Sequence, residues 1–197
     1  MELRVLGQAA GMFAATNIDD MLVLAVFFGH AGHERAAAAR VAAGQYLGFA
    51  GILAASVAGA LGAGLLPGSA IPYLGLLPLL LGLRAARRAW NSRRDAGDEA
   101  PAASGAGVLQ VAAVTFANGG DNIGVYVPVF AVAGTASMVG YVLVFLAGVA
   151  VWCAISWFLA GRPLVARALS RWGHILLPVV LIGIGATILI EGGAFGL

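Results

Sequence analysis

Apolar residues gather into six stretches along the chain, and polar residues interrupt only some of them. Val5–Gly29 is about one bilayer long but carries Asn17, Asp19 and Asp20. Val41–Leu66 is long and clean. Ile71–Leu83 is short and holds Pro72 and Pro78. Val108–Ala133 is long, with Asn118, Asp121 and Asn122 inside it. Met138–Ala160 is clean, and Ile175–Ile190 is short and contains Pro178. A spanning helix needs ~20 residues, with a range of ~17–25. The third and sixth stretches therefore need their flanks, or a tilt, to cross. The pattern predicts an all-α, polytopic membrane protein with six transmembrane helices, in a single transmembrane domain over residues 1–197. A cleaved signal peptide over the first stretch would hold two aspartates and an asparagine in its apolar core, which argues against that reading.

Composition agrees. Of 197 residues, 61% are hydrophobic and only 10% are charged, against ~25% charged in a typical soluble domain. Disordered chains and nucleic-acid binders are excluded, since both need far more charge. A soluble enzyme would leave a strongly apolar surface in water. The single Cys153 excludes an intrachain disulfide framework and any Cys-rich metal site. The placement of charge says more than its sum. Ten of the eleven arginines fall in three connections, at residues 30–40, 84–107 and 161–174; the other connections are uncharged, and Arg4 stands alone near the N-terminus. The positive-inside rule puts those ten in the cytoplasm, which leaves both termini outside. Residues 91–107, rich in Ala, Gly, Ser, Asp and Arg, read as a cytoplasmic linker.

The linker separates repeat 1 (residues 1–90) from repeat 2 (residues 108–197). Asn17 and Asp20 fall on Asn118 and Asp121 at an offset of 101. Gly48 and Ser56 fall on Gly148 and Ser156 at 100, as Leu76-Leu77-Pro78 does on Leu176-Leu177-Pro178. Three matches in one order, at nearly one offset, point to duplication. Three spans per half is an odd number, so the pattern predicts a 3+3 inverted repeat, an architecture common among secondary transporters. Asp20 and Asp121 would each lie about 20 Å into their spans from opposite faces, at 1.5 Å per residue. Both polar clusters would then meet near mid-membrane.

An aspartate at that depth costs roughly 2.5–3.5 kcal/mol. No Lys or Arg lies at comparable depth in either span, so protonation, hydration or a bound cation must offset the charge. Asn17 and Asp20 share a helix face. Asp19 sits ~100° around from Asp20 on an unbroken helix, so both reach one site only where the backbone is irregular. Gly119 and Gly120 suggest such irregularity in the fourth span, where opened turns would free carbonyls for cations. The candidate binding residues are Asn17, Asp19, Asp20, Asn118, Asp121 and Asn122, with Thr16 and Thr115 as additional hydroxyls. Every donor is oxygen, which suits a hard or borderline divalent cation. The bland alternative is a polar seam joining two helices, which Asn alone would serve. His30, His33 and Glu34 have a spacing that can ligate metal, but a short polar loop explains them as well. His174 reads as interfacial, Cys153 as a small hydrophobe, and Trp152, Trp157 and Trp172 as membrane-end or packing residues.

Thr16-Asn17-Ile18-Asp19-Asp20, and the longer run from Phe116-Ala117-Asn118-Gly119-Gly120-Asp121-Asn122 through Pro128, resemble the signatures of the cadmium resistance transporter family, within the lysine exporter superfamily. The resemblance covers essentially the whole chain. It implies a bacterial inner-membrane exporter of divalent cations, not an enzyme, with cadmium the named substrate. Cadmium favours thiolate, whereas these motifs offer oxygen, so Mn²⁺ or Zn²⁺ ranks at least as high on chemistry. The expected mechanism holds the metal between the first and fourth spans. Asp20 and Asp121 would be direct ligands, the asparagines neutral ligands, and Asp19 either a ligand or a proton carrier. No nucleotide-binding signature is visible, so protons are the expected counter-ion, and mid-membrane carboxylates can alternate between metal and proton. No cofactor and no nucleic acid are expected; the lipid bilayer surrounds the protein, and small residues in the second and fifth spans permit a homodimer. Two other readings are export of a cationic or zwitterionic solute such as an amino acid, and an intramembrane aspartyl enzyme, which would need two acids nearly in contact. A purely structural membrane subunit is disfavoured by the buried acids.

Overall fold

The computed structural model describes residues 3–31, 34–67, 69–91, 107–160, 178–179 and 182–194. Every regular element among them is helical. In order these are α1 (Leu3–Thr16), α2 (Ile18–Ala31), α3 (Arg35–Ala63), a 3₁₀ turn (Ile71–Gly75), α4 (Leu76–Asn91), α5 (Val108–Asn118), α6 (Gly120–Leu159) and α7 (Ile182–Glu191). Two of them, α3 and α6, are each long and apolar enough to cross a membrane. The pair α1–α2 makes a third if its two arms form one span, bent by 59° at Asn17.

The sequence predicted an irregular backbone in the fourth stretch. It lies there, with Gly119 between α5 and α6, but the first stretch is broken as well, and more visibly. The two prolines of the third stretch fall where a missing N–H costs little. Pro72 is in the first turn of the 3₁₀ segment and Pro78 in the first turn of α4. α4 then runs on through Arg84, Arg87 and Arg88 to Asn91, where the linker composition begins.

At 1.5 Å per residue, an unbroken α6 would be about 60 Å long, twice a hydrocarbon core. Gly134 divides it, with φ 73° and ψ 164°. Ring contacts show that the two arms then fold back on each other. Tyr126 meets Phe145 at 4.6 Å between centroids, and Phe130 meets Tyr141 at 6.1 Å. The pairing advances four residues on one arm as it retreats four on the other, so the arms are antiparallel.

Other contacts fix the remaining directions. Gly44 and Gly48 of α3 bring its backbone onto α5. A Cβ at Gly48 would stand 2.6 Å from the Ala112 carbonyl oxygen, and one at Gly44 would stand 2.6 Å from that of Val108. The register rises on both chains, so α3 and α5 are parallel. Phe13 of α1 fills the space above Gly148 on the second arm of α6, 2.6 Å from where a Cβ would be. Further along that same pair, the Ser156 hydroxyl donates to the Met21 carbonyl of α2 at 2.9 Å. The α1–α2 unit therefore runs parallel to the second arm. Gly75 and Gly185 approach backbone to backbone, and Gly192 lies on Pro72, so α7 is antiparallel to the 3₁₀–α4 segment. The buried core between these elements is largely aromatic, with Phe13, Phe49, Tyr126, Phe130, Tyr141 and Phe145 in mutual contact.

Candidate functional site

Both helix breaks carry the polar motifs, and the fold brings them together. Asn118, the last residue of α5, donates from Nδ2 to Asp20 Oδ1 at 3.0 Å and to Asp19 Oδ2 at 3.2 Å. The sequence expected both aspartates to reach one partner only where the backbone is irregular; instead both lie on the regular first turn of α2, just after the break at Asn17, and the single Asn118 amide spans them. From the first turn of α6, Asn122 Nδ2 donates to Asn17 Oδ1 at 3.2 Å. Five of the six candidate residues are thus joined by hydrogen bonds between the two motifs.

Asp121 and the two threonines behave differently. Asp121 turns back on its own backbone, with Oδ1 accepting the Asn122 N–H at 2.9 Å. It lies close enough to Asp19 and Asp20 for the three charges to repel one another. Thr16 donates to the Met12 carbonyl at 2.9 Å and lies 3.0 Å from the Tyr126 hydroxyl. Thr115 donates to Gln45 Oε1 on α3 rather than to a carboxylate, and the Gln45 amide stands close to Asp20. Among the described residues, no three His, Cys, Asp or Glu side chains converge closely enough to hold a metal by themselves. His30 bonds the Val26 carbonyl through Nδ1 at 2.8 Å and is exposed; His33 and His174 lie outside the described residues, as does most of the linker. Cys153 is packed within the aromatic core.

Burial grades across the cluster. Asn17, Asp20, Asn122, Thr16 and Thr115 are buried, Asp121 is half-buried, and Asp19 and Asn118 are exposed. Two buried oxygens, Asp20 Oδ2 and Asn122 Oδ1, have no hydrogen-bond partner among the described residues. A buried acceptor left unsatisfied costs about 1–3 kcal/mol, more when it is charged. Both orphans lie in the one place where the two motifs meet.

Three residues outside the candidate set complete the site. The Tyr126 hydroxyl, fully buried, accepts from Asn17 Nδ2 at 2.9 Å. Trp152 Nε1 donates to the Asn17 carbonyl at 2.6 Å. Gln45 reaches in from α3. Tyr126 had a signal in the sequence, because it stands four residues beyond Asn122 on the same helical face. Gln45 had one too, as an uncharged polar residue inside an otherwise clean stretch. Trp152 had none beyond its type.

No curated protein and no solved structure matches the chain. Comparison with protein families does give a match, to the description "Cadmium resistance transporter" over residues 13–197. That span takes in both motifs, both breaks and every helix from the end of α1 onward. An all-helical chain with long apolar helices, two paired Asn/Asp motifs and this match is a membrane protein belonging to the cadmium resistance transporter family.

Proposed function

We propose that the protein is a secondary transporter exporting a divalent metal cation, Cd²⁺ or an ion like it, across the bacterial inner membrane in exchange for protons. The ion is held between the break in α1–α2 and the break between α5 and α6. The observation that carries this reading is the pair of orphaned oxygens, Asp20 Oδ2 and Asn122 Oδ1. Both are acceptors, one on each motif, and a cation bound between the motifs would supply what each lacks. A polar seam that only glued helices together would have paired them.

The donor set is oxygen throughout, and few of its members are charged and buried. Asp20 supplies the buried carboxylate, Asn17 and Asn122 neutral amides, and Asp19 and Asn118 the exposed approach. Asp121 adds charge nearby. A site of this kind binds less tightly than a closed cage, which suits cargo that must leave as readily as it enters.

The 3+3 inverted repeat with both termini outside belongs to this proposal, and three features support it. The helix directions alternate as six passes require. The matched glycines, Gly48 and Gly148, each seat a helix of the opposite half. Tyr46 donates to the Leu146 carbonyl at 3.1 Å, a contact between positions one repeat apart, as expected beside a pseudo-twofold axis.

The test is Cd²⁺ flux into everted membrane vesicles under an imposed proton gradient. The wild type accumulates Cd²⁺ when the interior is acidic and stops when an ionophore collapses the gradient. Asp20→Asn and Asp121→Asn reduce the rate at least tenfold, the equivalent of about 1.4 kcal/mol. Full-rate transport by both variants, or competition by amino acids but not by metals, would sink the assignment.

A further inference from the structure

The break at Asn17 is held by a residue from far along the chain. Asn17 is where α1 stops and α2 begins. Its carbonyl oxygen accepts the Met21 N–H at 3.2 Å and the indole N–H of Trp152 at 2.6 Å. A carbonyl has two lone pairs, so both are in use. The same indole touches both arms of the bend. Its ring meets Phe13 of α1 edge-on at 5.2 Å between centroids, and it packs against the cluster of Met21 and Ala25 of α2 with Leu159. Trp152 therefore occupies the inside of an elbow, in contact with the upper arm, the lower arm and the joint.

The elbow sets the site. Asp19 and Asp20 are the second and third residues of α2, and Asn17 contributes its own side chain. A change in the bend moves both carboxylates relative to Asn118 and Asn122, which ride on other helices. We infer that Trp152 is a positioning residue: through its hydrogen bond to the Asn17 carbonyl it fixes the bend of the first helix pair and so tunes the affinity for the transported cation. The inference rests on the transport reading given above. It also explains why a tryptophan stands inside the second arm of α6, away from the membrane ends where amphipathic rings usually gather.

The experiment uses the full chain in proteoliposomes, with Cd²⁺ as the probe. Trp152→Phe keeps an aromatic ring and removes the N–H. An isosteric analogue at this position alone, with sulfur in place of the indole N–H, keeps the bicyclic shape as well. The expected result for both is a KM for Cd²⁺ raised roughly three- to tenfold, the range that one net hydrogen bond supplies, with Vmax within about twofold. A merely structural loss would lower Vmax in proportion to the folded protein and leave KM in place; that result, or an unchanged KM, overturns the inference. Hydrogen exchange gives a readout independent of transport. The amides of Asn17 and Met21 should exchange faster in both substituted proteins, while those of α3 stay as in wild type. Equal exchange at the bend overturns the inference whatever the flux. If the wild type carries no Cd²⁺ yet the bend loosens on substitution, the transport reading fails and the elbow stands.

Discussion

Asn17 shows how much one side chain can organise at a helix break. Its amide nitrogen serves the Phe13 carbonyl, the Thr16 hydroxyl and the Tyr126 hydroxyl, while its oxygen accepts from Asn122. Tyr126 in turn joins Thr16 and Asn17 through one buried hydroxyl. Removing that hydroxyl strands no partner completely, because Thr16 keeps Met12 and Asn17 keeps Phe13. Tyr126→Phe should therefore lose about 1–2 kcal/mol, seen as a lower melting temperature in detergent, with the protein still folded. A melting temperature equal to wild type would mean the hydroxyl is not holding the network. The acids and asparagines were legible in the sequence because a charge in an apolar stretch is expensive and demands a reason. Trp152 was not, because an aromatic ring in an apolar stretch is ordinary core until its polar tip is seen to find a partner, and Tyr126 had only its helical spacing from Asn122. Gln45 carried the same message as the asparagines more quietly.

At the scale of the helix, hydropathy located the apolar stretches but not where they break. The first stretch reads as continuous by hydropathy, although an asparagine favours a cap over a helix interior. The contacts at the break come from far along the chain: Trp152 meets the backbone at Asn17, Tyr126 the Asn17 side chain, and Asn118 the carboxylates of Asp19 and Asp20. Gly134 is the opposite case. The connection at residues 134–137 was legible from its glycine and small residues, and the turn falls on that glycine. With φ 73° and ψ 164° it occupies a region that essentially only glycine enters. Gly134→Ala should cost about 1–3 kcal/mol, measurable by thermal unfolding. An unchanged melting temperature would show that the turn relaxes without strain. The two short stretches, third and sixth, show what flanks contribute. α4 gains its length from the arginine-bearing segment that follows the apolar run, while the sixth stretch is described only at residues 178–179 and from residue 182 onward.

For the whole molecule, the arginine asymmetry remains the main statement about orientation, and half of its ten arginines lie in segments outside the described residues. It is open to direct measurement. In a Cys153→Ser background, Ser104→Cys should react with an impermeant maleimide in everted vesicles and not in intact cells. Labelling from outside would reverse the orientation. The proposed repeat rests on three coincidences of spacing. Of these, Gly48 and Gly148 each make room for the other half of the chain, Gly48 for the backbone of α5 and Gly148 for the Phe13 ring of α1. This close fit has a mechanical consequence. α3 cannot slide along α5 without driving its backbone into the carbonyls of Val108 and Ala112, whereas α1 meets the second arm of α6 through the Phe13 ring at Gly148. Each pair takes one helix from either side of the linker. If the molecule rocks, the line dividing its moving bodies runs through both halves of the chain rather than between them, and α3 travels with α5.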